Sequence, residues 1–97
     1  MTPEQIKEQL RAVLGTKLVN ILADGSDAER KLRFAHKVMT LLCEKDSEGV
    51  VRAWFIGCNP WLDENAPFTE IRNATAANVA VIESHVWGAA KSFYSTG

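Results

Sequence analysis

Apolar residues recur at three- and four-residue intervals along most of the chain, the period of an α-helix buried on one face. Ile6, Leu10 and Val13 or Leu14 form the first stripe. Ahead of it stand Thr2, able to cap, Pro3 at the first helical position, and Gln5 where a capping-box partner belongs. Gly15 breaks the pattern, and Thr16 can cap a second short helix with Leu18, Val19, Ile21 and Leu22 on its buried side. The turn "ADGS" follows, in which Asp24 and Gly25 tolerate the left-handed backbone that ends a helix. Ser26 and Glu29 have capping-box spacing and open a long helix from Asp27 to about Lys45, with Leu32, Ala35, Val38, Met39 and Leu42 as its stripe. Phe34 and Leu41 widen that stripe, which predicts more than one neighbour.

Ser47 caps a short helix marked by Val50, Val51, Trp54 and Phe55, which Gly57 and the pair Asn59-Pro60 must end. The run "GVVRAWFIG" is β-branched and aromatic enough for a strand. An isolated strand has nothing to pair with, so a helix is predicted. Pro67 starts another helical turn through Ile71, and Thr75 begins a last helix with Val79, Ile82, Val86, Ala89 or Ala90, and Phe93 on one side. The fold expected is all-α, a small bundle of about five to six helices.

Length and composition narrow this further. At 97 residues the chain suits a single domain, 1–97, and 46% apolar residues supply a modest core. A dimer would bury more apolar surface. The net charge of −1 gives no overall basic character, although Arg30, Lys31, Arg33 and Lys37 cluster locally. Cys43 and Cys58 lack a C-x-x-C spacing, and no signal peptide precedes them, so free, buried thiols in a reducing cytoplasm are expected. No apolar run approaches the roughly 20 residues a bilayer span requires.

Catalysis and metal binding find no motif. Nothing in the spacing of His36 and His85 directs either toward Cys43 or Cys58. Two cysteines and two histidines lack the close ligand pairs of zinc motifs. The run Asp63-Glu64-Asn65 has neither the D-x-D-x-D-G pattern nor the bidentate glutamate of a calcium loop. No phosphate-cradling glycine loop is present. The sequence therefore predicts no enzyme, no cofactor and no metal.

The segment "AWFIGCNPWLDENAPFTEIR", Ala53 to Arg72, has its own logic. Asn59 can bond back to the backbone and Pro60 forbids helix continuation, so a helix corner is expected, with Leu62 and Ile71 reaching the core. Trp61 has two places open to it: a partner's surface, or the packing of a dimer or of its own core.

Read as an aromatic pair Trp54-Phe55, then Gly57-x-Asn59-Pro60-x-Leu62, then Pro67-x-x-x-Ile71-Arg72, the segment resembles the antitoxin Xre/MbcA/ParS toxin-binding family. It is especially similar to actinobacterial versions with "AWFxGxNPxL". The stretch Leu14 to Val38 resembles the N-terminal part of such proteins. The resemblance implies a helix-turn-helix-like half, 1–46, and a toxin-binding-like half, 47–97. It also implies a cytoplasmic homodimer that binds a protein partner, often a toxin of the RES fold that degrades NAD.

The partner-binding residues expected are Trp61, Asp63, Glu64, Phe68, Arg72 and the tail from Phe93 and Tyr94 to Gly97. The tail's small, polar "STG" ending suits entry into a cleft. Family members often carry a DNA-binding helix-turn-helix. Here only four residues separate "LVNIL" from the helix opened at Ser26, so the reader helix is shortened away unless the Asp27 helix replaces it. An alternative function is a DNA-binding repressor, phage-encoded or not, with Lys17, Arg30, Lys31, Arg33 and Lys37 on phosphates. A third is a mobile-element derivative that kept the fold and lost the partner.

Overall fold

At the N-terminus, the amide of Thr2 donates to Gln5 Oε1 (2.8 Å) and the amide of Gln5 donates to Thr2 Oγ1 (3.2 Å), the reciprocal box its sequence predicts. In the computed structural model, which describes residues 1–96, it opens helix α1, Pro3–Leu14, whose Ile6, Leu10, Val13 and Leu14 are buried. Gly15 alone separates α1 from α2, Thr16–Asp24. Its φ of 87° and ψ of 159° belong to a region essentially reserved for glycine, so one residue suffices to redirect the chain.

The next turn departs from expectation. Gly25 is extended, and the left-handed residue is Asp27, with φ of 57°. Ser26 caps nothing. Helix α3 begins at Ala28, and Glu29 accepts from Arg33 Nε and Nη2 at 3.2 and 3.1 Å instead of bonding back to a cap. A left-handed Asp27 breaks the backbone path on which the Ser26 box depends. Helix α3, Ala28–Leu42, also stops three residues before Lys45, because the amides of Glu44, Lys45 and Asp46 fold back onto the carbonyls of Leu41 and Leu42.

Ser47 accepts from the amide of Val50 at 3.3 Å and opens α4, Glu48–Ile56, so "GVVRAWFIG" is helical as predicted. Val51, Trp54 and Phe55 face inward, while Val50 lies outside. A 3-10 turn at Pro60–Leu62 is followed by α5, Pro67–Asn73, two residues longer than expected. The final helix, α6, Val79–Thr96, starts four residues after Thr75. Thr75 opens a separate turn instead, closed by its amide on Asn78 Oδ1 at 2.7 Å.

One apolar core runs from Ile6 on α1 to Ala90 on α6 and joins both halves of the chain. Helix α3 lies at its centre and packs against α1, α2, α5 and α6, which accounts for its broad stripe. Trp54 meets Phe55 edge to face at 5.3 Å and Phe93 at 6.3 Å, pinning α6 to α4. Such aromatic pairs contribute about 0.5–1.5 kcal/mol beyond their buried area. The described residues form six α-helices and no strand. Among the described residues, no helix is long and apolar enough to cross a membrane.

Candidate protein-binding surface at the Asn-Pro corner

Helix α4 ends where Gly57 donates its amide to the carbonyl of Ala53 at 2.9 Å. Two residues later Asn59 turns its side chain inward, and its Oδ1 accepts from the amide of Trp61 at 2.9 Å. The carbonyl of Asn59 accepts twice more, from the amides of Leu62 and Glu64, both at 2.9 Å. Pro60 has no amide to satisfy, so it fits the first position of the 3-10 turn. This knot fixes the inside and the outside of the corner. Leu62 enters the core, and Trp61 is 70% exposed.

The residues after Trp61 are also held by backbone geometry. Asp63 (φ 54°) and Glu64 (φ 68°) both adopt the left-handed conformation, which is uncommon away from glycine. The amide of Asn65 donates to the carbonyl of Leu62 at 3.0 Å and closes the loop. Both carboxylates are exposed.

Trp61 forms one wall of an open groove of about 300 Å³. Trp54, Cys58, Asn59 and Pro60 continue that wall, and Ala89, Ser92, Phe93 and Thr96 of α6 form the other. Those four recur at helical spacing and present a narrow, mostly small-residue stripe. Asn59, Cys58 and the α6 stripe had no sequence signal as a groove. Only the approach of α6 to the corner makes one.

Of the other expected partner-binding residues, Phe93 shares this groove with Trp61, and the rest are scattered. Phe68, 6% exposed, is buried in the first turn of α5 on the same side as Ile71, one helical turn on, so it offers no surface. Arg72 is exposed on α5, its Nε donating to Asn73 Oδ1 at 3.2 Å. Phe93 lies half-buried against Trp54. The Tyr94 hydroxyl donates to Glu44 Oε1 at 3.2 Å, which pushes the phenol up from its ordinary value. Lys45 Nζ stands 4.3 Å over the Tyr94 ring and donates to the Tyr94 carbonyl at 3.1 Å. Gly97 lies outside the described residues.

Four of the five basic candidates are engaged within the molecule. Arg30 forms a bidentate pair with Glu83 of α6, both bonds 2.9 Å. Lys31 is buried, contrary to its expected place on the surface, and Nζ donates to the carbonyl of Arg72 at 2.8 Å. Arg33 bonds Glu29, and Lys37 lies 4.4 Å over the Trp87 ring. Lys17 is exposed on α2.

Both thiols are exposed, a correction to the expected burial. Cys43 follows the last residue of α3 and leaves its stripe, and Cys58 lies in the link between α4 and the 3-10 turn. Partial burial, with Glu48 and Asp46 nearby, raises the Cys43 pKa. A ring nitrogen of His36 lies 2.6 Å from Gln9 Oε1, which occupies it away from either cysteine, while His85 is exposed. Among the described residues, no group of three or more His, Cys, Asp and Glu side chains converges to hold a metal ion. Compared with protein-family models, curated proteins and solved structures, the chain matches none of them.

Proposed function

We propose that this chain is a small regulatory protein of the antitoxin kind, acting in the cytoplasm as a homodimer by binding another protein and carrying out no catalysis. The observation that carries this reading is Trp61. A large aromatic ring, 70% exposed, stands on a corner where the amides of Trp61, Leu62, Glu64 and Asn65 are all bonded. Rigid exposed aromatics of this type anchor protein interfaces, because little side-chain entropy is lost on contact. The resemblance of residues 53–72 to a toxin-binding family names the kind of partner, a RES-type toxin.

The DNA-binding alternative draws less support. Its phosphate contacts would need Arg30, Lys31, Arg33 and Lys37, whose side chains are already tied to Glu83, the Arg72 carbonyl, Glu29 and Trp87. Releasing them costs the contacts they make now.

Affinity capture with the full chain from its native host, followed by mass spectrometry, tests the proposal. One stoichiometric protein partner is expected, lost with Trp61→Ala, and encoded beside this chain. Recovery of no protein, together with a monomer by light scattering, overturns it. Nanomolar binding to the chain's own upstream DNA, falling steeply with salt, would favour the repressor instead.

A further inference from the structure

Resting on that reading, we infer that the groove beside Trp61 takes a protein segment in which one large apolar side chain sits next to a lysine or arginine. Its volume of about 300 Å³ is at the small end of ligand-binding cavities, which run roughly 300–1,000 Å³, and suits a side chain or two. Trp54, Pro60 and Trp61 face Phe93 across it, so the inserted group is apolar.

Charge supplies the second half of the recognition. No lysine or arginine lines the groove. On α6, Lys91 falls about 100° or more around the helix from each of Ala89, Ser92, Phe93 and Thr96, at 3.6 residues per turn. The stripe traced one turn back reaches the exposed His85. Directly after Trp61, by contrast, Asp63 and Glu64 stand exposed on a left-handed loop tied to the Asn59 and Leu62 carbonyls. Their backbone is fixed two and three residues after Trp61, one wall of the apolar slot. Two carboxylates next to that wall attract a cation, and the Trp61 ring face offers the same cation a second contact. The same two charges repel nucleic acid and an anionic membrane surface. A second copy brings its own Asp63 and Glu64 and has like charge to overcome if the two corners meet.

A phage-displayed dodecapeptide library selected on the immobilised full chain tests this, with Trp61→Ala as the parallel target. Peptides enriched on the wild type are expected to carry a large apolar residue within one helical turn of lysine or arginine. Their affinity, read by fluorescence anisotropy, falls about tenfold or more in Trp61→Ala, as for an interface anchor. In Asp63→Asn/Glu64→Gln it falls and loses most of its salt dependence. A bound peptide also slows maleimide labelling of Cys58, which lines the groove, and leaves Cys43 unchanged. Both variants change exposed side chains, and circular dichroism checks their fold.

No enrichment over Trp61→Ala, an uncharged or acidic consensus, or unprotected Cys58 overturns the inference. So does concentration-dependent protection of Cys58 in the chain alone with a dimer by light scattering, which would assign the groove to a second copy. If peptides fail while host capture yields a partner, only the segment chemistry is wrong. If capture yields nothing, the proposed function itself fails.

Discussion

The ammonium of Lys31, in the first turns of α3, donates to the carbonyl of Arg72 near the end of α5 at 2.8 Å, and the residue is only 3% exposed. The contact ties the centre of the bundle to the last turn of a seven-residue helix. A helix end leaves carbonyls without intrahelical donors, and Lys31 satisfies one of them. Lys31→Ala removes both a buried stem and that donor. The expected loss is about 3–5 kcal/mol, from roughly 0.8 kcal/mol for each of three buried methylenes and 1–3 kcal/mol for the stranded carbonyl. Lys31→Met keeps the stem and is expected to lose less than Lys31→Ala. Urea midpoints at unchanged slope measure both. Equal losses would show that the buried stem contributes nothing, and a Lys31→Met as stable as the parent would show that the bond contributes nothing.

The tryptophans should separate by environment. Trp54 is 9% exposed between Phe55 and Phe93, whereas Trp61 is 70% exposed. Trp54→Ala is expected to cost about 3–5 kcal/mol, as for aromatic truncations in cores. Trp61→Ala is expected to stay within about 0.5 kcal/mol of the parent, as for exposed sites. Iodide should quench Trp61 first, so Trp61→Phe removes the most accessible part of the emission. Equal destabilisation by the two alanine variants would contradict an outward Trp61.

How much of this could be read along the chain follows from the range of each interaction. The Thr2–Gln5 box, the Ser47 cap and the Asn59-Pro60 break are bonds between residues at most three apart, and their residue types announce them. The apolar stripes likewise disclose most of the helices, although α4 needs the argument that a lone strand has no partner and α5 is announced by Pro67. Where two local signals compete, as at Ser26 against a left-handed Asp27, the sequence holds both and only the packed chain chooses. Lys31 reads as one of a basic cluster, because the carbonyl that receives it lies 41 positions away. Which side of the corner Trp61 takes depends on the Asn59 carbonyl meeting two amides at once. The groove itself depends on α6 returning to the corner. No residue spacing records that approach.

Stability should fall in two separate steps on acidification. Burial lowers the His36 pKa from its ordinary value near 6.5, with the N-terminal charge adding to the effect. The folded state therefore prefers neutral His36, and its contribution is lost as the pH falls from about 6.5 through the folded value. The Arg30 hydrogen bond holds the Glu83 carboxyl below its ordinary value near 4.5, with burial opposing. That contribution is present above the ordinary carboxylate range and is lost as the pH falls from about 4.5 through the folded value. Urea midpoints against pH should show both steps. His36→Gln is expected to remove the upper step, and Glu83→Gln the lower. Salt weakens the lower step, because Arg30 and Glu83 lie at the surface. A lower step identical in wild type and Glu83→Gln would assign it to other carboxylates.

Two glycines should respond to alanine with opposite sign. Gly15, at φ of 87° and ψ of 159°, turns α1 into α2 with no intervening residue, and the Arg52 guanidinium lies 3.8 Å from where a Cβ would stand. There is room for the methyl group, so the cost is conformational. A non-glycine residue in that region costs about 1–3 kcal/mol. Gly88 lies within α6, and a Cβ there would meet nothing within 4 Å. Alanine restores helix propensity at no packing cost, a gain of roughly 0.5–1 kcal/mol. Thermal midpoints should rank Gly88→Ala above the parent and Gly15→Ala below it. If Gly15→Ala melts with the parent, α1 and α2 do not need a glycine-only hinge. If Gly88→Ala melts lower, a neighbour occupies the space beside α6, and the second copy proposed for this chain is the first candidate.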